Sequence, residues 1–192
     1  MRRAIGCERE ATAELTRIVL GVPWLVEVLQ CVHRIGPPGA YVGAGAIRNT
    51  VWDFVHGRVS DAPHGDIDVV YFSLSDRSAA HTERLKHALR QYDWEVTNQA
   101  LVHEWQSAEL GRAVAPYGSL HDALRVWPET ATSVAVALTG TTELDILAPH
   151  GLTDLFAMRV RPSPNILEPA HYSRRIESKR WSSRWPLVAV EP

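Results

Sequence analysis

This sequence of 192 residues has only two cysteines, no long apolar run and no excess of cationic side chains. The only cysteines are Cys7 and Cys31, and their spacing matches no metal-binding motif; a disulfide between them is not expected, because a chain of this size needs no covalent staple. No segment reaches the roughly 18 apolar residues of a membrane-spanning helix. Because no uninterrupted apolar run follows Arg2 and Arg3, no signal peptide is expected either. We therefore expect a cytoplasmic protein with no membrane partner.

The charge balance argues against a protein that coats nucleic acid. The formal net charge is -2, and charged residues make up 22% of the chain, as in ordinary globular proteins. A local basic patch is compatible with this total. From Arg159 onward the chain has seven Lys/Arg against three Glu. The basic C-terminal segment is therefore compatible with binding to nucleic acid, although the net charge does not indicate such a partner.

Apolar periodicity predicts a chain of mixed helices and strands. Helices are predicted at about 9–20, 23–36, 46–56, 75–91, 119–125, 153–160 and 171–185, and strands at 41–42, 67–72, 94–105, 133–138 and 143–147. The pattern favours a mixed sheet in an α+β or α/β fold. We interpret residues 1–192 as one domain, with 1–36 as an N-terminal helical cover and 165–192 as a C-terminal helical tail. Four tryptophans are expected in the core rather than as surfaces for base stacking: Trp52, Trp127, Trp181 and Trp185.

Two carboxylates open the second predicted strand. Asp66 and Asp68 are two residues apart, so both side chains point to one face of the strand. Carboxylates held together repel each other unless a cation lies between them, and hard oxygen ligands select Mg²⁺ or Mn²⁺. The alternative is a solvated strand end with two surface aspartates. The pair is therefore a candidate metal site.

A turn of small residues precedes this pair. Gly43, Ala44 and Gly45 lie between a strand and a helix, where backbone N–H groups and the helix N-terminus favour an anion. A tight turn without a ligand is the alternative. The pattern is neither a P-loop nor a dinucleotide-binding fingerprint. A phosphate-binding turn followed by a metal-binding carboxylate pair suits a nucleoside triphosphate (NTP). Arg48 and Asn49, at the start of the helix, either bind the triphosphate or hold the loop, with Arg48 paired to Asp53 or Asp66.

Seven segments follow one another along the chain: GAIRNTVWD (45–53), DIDVVYF (66–72), WEVTNQA (94–100), WPETAT (127–132), APHGLTDLF (148–156), RP (161–162) and RW…WP (180–186). In this order they resemble the DNA polymerase β-like nucleotidyltransferase superfamily. More specifically, the chain resembles a bacterial nucleotidyltransferase family first known as a domain of unknown function. The similarity extends over roughly residues 20–188 and depends on the number and order of the segments.

The resemblance implies an α+β fold with a mixed β-sheet flanked by helices. It also implies metal ions on Asp66 and Asp68, and transfer of a nucleoside monophosphate from an NTP with release of pyrophosphate. A third carboxylate is expected on a neighbouring strand, and two positions match: Glu95 and Asp145. We prefer Glu95, because Asn98 and Gln99 lie beside it. A carboxylate placed to take the proton of the acceptor hydroxyl would be the general base.

The predicted function is thus an Mg²⁺- or Mn²⁺-dependent nucleotidyltransferase with an unidentified acceptor. Two other hypotheses stay open at this point. The chain could be a catalytically weak relative that binds nucleotide as a sensor, or a nucleic-acid-binding protein that uses the basic C-terminal face. Nothing in the sequence identifies the acceptor, the preferred NTP or the oligomeric state.

Overall fold

The computed structural model describes residues 7–191. The helices along this part of the chain are α1 (Glu8–Leu20), α2 (Pro23–Ile35), α3 (Ala44–Val55), α4 (Ala80–Ala88), α5 (Val102–Leu110), α6 (Leu120–Arg125), α7 (Thr153–Phe156), α8 (Pro169–Lys179) and α9 (Trp181–Arg184). The strands are β1 (Tyr41–Gly43), β2 (Ile67–Tyr71), β3 (Trp94–Asn98), β4 (Ala135–Leu138), β5 (Leu144–Leu147), β6 (Arg159–Val160) and β7 (Ala189–Val190).

Five strands form one mixed sheet in the order β3-β2-β1-β4-β5. The β2 and β3 strands are parallel, whereas β1 is antiparallel to both β2 and β4, and β4 is antiparallel to β5. A parallel pair needs a crossover connection, and α4 lies in the segment between β2 and β3. The predicted hairpin at 133–147 is confirmed as β4–β5. The mixed sheet with flanking helices confirms the predicted α+β fold.

The two faces of the sheet are covered differently. Ile67 and Val69 of β2 belong to the main hydrophobic core, which α1, α2 and α3 cover. Successive side chains along a strand alternate between faces, so Asp68 and Val70 point the other way. Val70 packs in a smaller cluster with α6, and Asp68 faces open space. The face of the sheet with Ile67 and Val69 therefore packs in the hydrophobic core, and the face with Asp68 carries the polar groups.

The C-terminal segment packs back onto the core. Tyr172 of α8, Trp181 of α9 and Trp185 are buried, and Trp185 lies edge-on to Trp52 with ring centroids 5.3 Å apart. The tryptophan Nε1–H of Trp52 donates to the Leu155 carbonyl, 3.0 Å away. The core positions expected for Trp52, Trp181 and Trp185 are thus observed. The partition into one domain with a cover and a tail stays a prediction, and residues 1–6 and 192 lie outside the described part.

Several predicted elements differ from the structure. The helix predicted at 75–91 is limited to Ala80–Ala88, and the helix predicted at 153–160 ends at Phe156, with Arg159–Val160 forming the strand β6. The third strand ends at Asn98 instead of continuing to Trp105, and Val102–Leu110 is the helix α5. The Asn98 side chain donates to the carbonyls of Ser73 and Asp76, which ends the strand against the loop after β2. The predicted helix at 171–185 is two helices, because Arg180 has a φ of 45°.

Within residues 7–191, no single helix combines the length and apolar character needed to cross a membrane. The consecutive helices α1 and α2 have that length and apolar character only when they are taken together, and the chain bends by 95° between them. Leu15 and Val19 of α1 and Leu25 and Val28 of α2 are buried in the hydrophobic core.

Candidate active site

Three carboxylates meet on the polar face of the sheet. Asp66 lies just before β2, Asp68 is its second residue, and Glu95 on β3 is directly opposite Asp68 in the parallel register. One oxygen from each of the three lies within 4.8 Å of the others. Asp66 and Glu95 are exposed, whereas Asp68 is partly buried. The alternation of β2 and the register with β3 therefore explain the whole arrangement.

The cluster carries more negative charge than its surroundings neutralise. Burial and, after it, the neighbouring Asp66 and Glu95 carboxylates together raise the pKa of Asp68 to about 7. Arg48 and a hydrogen bond from the Gly45 N–H act against this rise. Three close carboxylates that repel each other, with oxygen atoms open to solvent, are the donor set that a hard divalent cation fits. The residues present thus suit Mg²⁺ or Mn²⁺.

The small-residue turn lies beside these carboxylates. Gly43 ends β1, and a Cβ there would lie 3.1 Å from the Ala135 Cβ, so packing against β4 explains this glycine. Ala44 has a φ of 50°, and its N–H donates to the Val134 carbonyl at 3.0 Å. The Gly45 N–H donates to Asp68. Ala44 and Gly45 line the cavity, and phosphate binding by Gly43, Ala44 and Gly45 stays a prediction.

Arg48 and Asn49 extend from α3 into the same cavity. The Arg48 guanidinium is stacked over the rings of Trp52 and Trp181, at 5.1 Å from each centroid. It donates to Thr132 at 2.7 Å and to the Asn49 side-chain oxygen at 2.9 Å. Burial lowers its pKa to about 10. The suggested ion pair with Asp53 or Asp66 is not formed, and the Arg48 Nε is buried without a hydrogen-bond partner.

A hydrogen-bonded network explains why Asp53 is not available to Arg48. Its carboxylate accepts hydrogen bonds from Trp185 Nε1 at 2.9 Å and from His64 Nε2 at 2.5 Å. His64 Nδ1 in turn lies 2.5 Å from Arg184 Nη1. His64 precedes the carboxylate pair by two residues, so this network joins the loop before β2 to the C-terminal segment.

The C-terminal helices form the opposite wall of the cavity. Its volume is about 550 Å³, within the range of small-molecule sites. His171, Arg175, Lys179 and Arg184 line it. Arg175 is held by the fully buried Glu129 at 2.5 Å, whereas no ion pair involving Lys179 is found among residues 7–191. Cationic groups on α8 and α9 therefore face the acidic strand ends.

Residues 30–190 match the family described as Nucleotidyltransferase. The chain belongs to this family. The match includes the carboxylate strands, the small-residue turn and the C-terminal wall. No curated protein matches the sequence.

Solved structures resemble this nucleotidyltransferase at several levels of similarity. An NMR structure described as a CCA-adding enzyme head domain is 25% identical, with a TM-score of 0.77, and the similarity covers 98% of this chain and 99% of that one. An apo CCA-adding enzyme is 14% identical, with a TM-score of 0.53, over 93% of this chain and 42% of that one. The Bacillus stearothermophilus CCA-adding enzyme with CTP is 18% identical, with a TM-score of 0.49, over 87% and 40%. The chain thus spans about two fifths of these last two proteins.

Asp145 is the predicted catalytic residue that lies apart from the carboxylate cluster. On β5 its carboxylate accepts a hydrogen bond from the Tyr41 hydroxyl at 2.6 Å. Asp145 is exposed and does not line the cavity, whereas Glu95 does. Of the two positions proposed for the third carboxylate, the nucleotidyltransferase fold brings Glu95 to Asp66 and Asp68.

Most of the opposite wall and the position of Trp105 were not predicted from the sequence. The sequence indicates Arg175 and Lys179 only as part of a basic segment, and the strand predicted at 94–105 includes Trp105. The available signal was the spacing of His171, Arg175 and Lys179, four residues apart, which places them along one face of a helix. The spacing does not tell which surface that face meets.

Proposed function

We propose that this nucleotidyltransferase transfers a nucleoside monophosphate from an NTP to an acceptor hydroxyl and releases pyrophosphate. The observation that carries this proposal is the carboxylate cluster of Asp66, Asp68 and Glu95 in the wall of a cavity whose opposite wall is cationic. The acceptor oxygen forms a bond to the α-phosphorus, and the bond from that phosphorus to the oxygen bridging to the β-phosphate breaks. Pyrophosphate carries away the electron pair.

Asp66 and Asp68 would hold the divalent cation, Mg²⁺ or Mn²⁺. A bound cation would neutralise charge on the phosphate oxygens and orient them. Glu95 is exposed beside the pair and has room to take the proton of the acceptor hydroxyl. That proton transfer is general base catalysis, and a carboxylate at the acceptor side suits it.

The triphosphate would lie between α3 and the C-terminal wall. Ala44 and Gly45 carry little or no side chain, so phosphate can approach the backbone there. Lys179 and Arg184 supply positive charge from the opposite side. Arg48 contributes charge from its buried position, and Asn49 accepts a hydrogen bond from it. Gly43 supports the turn by its close packing against β4.

Two features bear on the acceptor. The structural similarity to a CCA-adding enzyme head domain makes a nucleotide-bearing acceptor the first class to test. Binding of nucleic acid as the whole function is less well supported, because Arg174 and Arg175 of the basic face already pair with Glu168 and Glu129. A nucleotide sensor would use the same cluster without releasing pyrophosphate. The cytoplasmic location stays a prediction.

The test is incubation with labelled NTPs, Mg²⁺ and cell extract, with pyrophosphate release and label transfer as readouts. We expect the wild-type chain to label an acceptor and Asp66→Asn to lose the activity. Asp93→Asn is the matched control, because this exposed aspartate precedes β3 outside the cavity. NTP binding without pyrophosphate release across acceptors would instead identify a sensor.

A further inference from the structure

One tryptophan is exposed inside the cavity. Five large apolar side chains are exposed among the described residues, and of these only Trp105, at 55%, lines the cavity. The other tryptophans of the cavity wall are at least half-buried: Trp127, Trp181 and Trp185. Burial of a large aromatic side chain is favourable, so a ring left open in a cleft is available to a ligand.

One side of α5, the helix that carries Trp105, lines the cavity along its length. The cavity-lining residues of α5 are Val102, Trp105, Gln106, Glu109 and Leu110. Their spacing of three and four residues places them on one side of the helix. On the opposite side Glu104 pairs with Arg77, 3.1 Å away. On this face Val102 is buried and Gln106 contacts Tyr117, whereas Trp105 and Glu109 are exposed.

A second apolar surface lies across from this face. Ile166 and Leu167, just before α8, are half-buried and line the same cavity. The Leu167 carbonyl accepts a hydrogen bond from Arg112 Nη2 at 3.0 Å, which joins the end of α5 to this segment. Trp105 and Leu167 thus line one cavity from two segments that this hydrogen bond connects.

The cavity has a charged end and an aromatic end. On α8, His171 and Lys179 both line it, and eight residues of helix separate them by about 12 Å. Lys179 is the last residue of α8, two residues before Trp181, whose ring centroid lies 5.1 Å from the Arg48 guanidinium. On the sheet side, the lining residues Glu95, Thr97 and Gln99 lead from the carboxylates toward α5. A nucleotide with its phosphates at one end and its base at the other matches this polarity.

We propose that Trp105 is the surface on which the base of the NTP stacks. Gln106 and Glu109 lie one helical turn apart on the same face, where they would meet the polar edge of the base. The Gln106 side-chain oxygen accepts a hydrogen bond from the Tyr117 hydroxyl at 2.7 Å, so its amide hydrogens stay available for a carbonyl of the base. This inference rests on the proposed function, because it takes the NTP as the occupant.

The test compares a ligand that has a base with one that lacks it. Equilibrium binding is measured, with Mg²⁺ present, for each of the four NTPs and for inorganic tripolyphosphate. Trp105→Ala should weaken binding of the preferred NTP about 10- to 100-fold, the usual worth of base–aromatic stacking, and leave tripolyphosphate binding unchanged. Trp105→Phe should stay within a few-fold of wild type. Leu74→Ala, at an exposed apolar residue outside the cavity, is the matched control.

The outcomes separate this inference from the proposed function. If wild type binds NTP and Trp105→Ala binds it equally well, the inference is overturned and the surface is free for an acceptor. It is also overturned if Trp105→Ala weakens tripolyphosphate to the same degree as NTP. If wild type binds neither ligand, the proposed function fails as well. Trp105→Gln, measured in parallel, should reproduce the loss with a side chain that is soluble but does not stack.

Discussion

The two walls of the cavity are built on different principles. The strand wall places Asp66, Asp68 and Glu95 together through the alternation of one strand and the register of two neighbours. The helical wall brings Arg175 and Lys179 from at least 80 residues further along the chain, and the buried Glu129 holds Arg175 in place. The carboxylates of the strand wall repel one another, whereas the helical wall carries positive charge. A divalent cation at the first wall and an anion at the second would each meet the opposite charge.

The largest expected effect lies within the strand wall. Glu95→Gln should lower kcat about 10²- to 10⁴-fold, the usual range for loss of a general base, while NTP affinity changes little. Asp145→Asn should keep at least half of the activity, because this side chain contacts Tyr41 outside the cavity. Steady-state pyrophosphate release measures both. Loss of activity in Asp145→Asn alone would show that the geometric choice between the two acids is wrong.

On the helical wall, Lys179→Ala should weaken NTP binding about tenfold, the effect of removing one partly exposed charge from a phosphate site. The chain has one other lysine, Lys86, which lies on α4 and pairs with Glu83 at 3.7 Å. Lys86→Ala is therefore a matched control and should bind NTP as wild type does. Calorimetric titration checks both variants, and equal affinities would remove α8 from the triphosphate site.

A stability measurement tests the repulsion in the strand wall. The pKa of Asp68 is raised from 3.8 to about 7, so the native state holds a proton that the unfolded state has lost between these values. The group therefore makes the metal-free protein less stable as the pH rises from about 4 to about 7. Asp68→Asn removes this cost.

We expect Asp68→Asn to raise the Tm of the metal-free protein at pH 8 by about 3 °C or more, with the advantage shrinking as the pH falls toward 4. Thermal unfolding in a chelator at both pH values measures it, with Asp93→Asn as the control. A lower Tm for Asp68→Asn at pH 8 would contradict the repulsion.

The smallest effects concern the turn between the walls. Ala44→Gly should raise the free energy of unfolding by about 0.5–1 kcal/mol, because glycine adopts the φ of 50° without steric cost. Gly43→Ala should lower it by about 1–2 kcal/mol, since the new Cβ meets Ala135 and the Val134 carbonyl. Denaturant unfolding checks the pair. If both substitutions changed the free energy of unfolding equally and in the same direction, backbone strain at Ala44 would be contradicted.

The strand wall could be predicted from the sequence because two of its carboxylates lie two residues apart in the chain. The Asp66 and Asp68 pair follows from strand alternation, and the family resemblance suggested a third carboxylate at Glu95 or Asp145. Choosing between those two required the sheet order, in which β3 is next to β2 and β5 is at the far edge. Hydrophobic periodicity does not determine that order.

The positions of α5 and of the C-terminal helices could not be predicted for a related reason. Apolar and polar residues alternate well enough through 94–105 to suggest one long strand, but the Asn98 side chain satisfies the carbonyls of Ser73 and Asp76 and the chain turns. That turn creates α5 and brings Trp105 into the cavity. The break at Arg180 likewise depends on the burial of Trp181 against Trp52, which is a tertiary contact. Such contacts override the local pattern.

The most direct test of the central claim is Mn²⁺ binding, measured by electron paramagnetic resonance with and without NTP. If Asp66, Asp68 and the cationic wall form one site for a metal-bound triphosphate, wild type binds Mn²⁺ saturably and binds it more tightly when NTP is present. Asp66→Asn should then lose at least tenfold in Mn²⁺ affinity, as removal of a metal ligand implies. Mn²⁺ binding that is equal in Asp66→Asn and wild type, or that NTP leaves unchanged, would contradict the account.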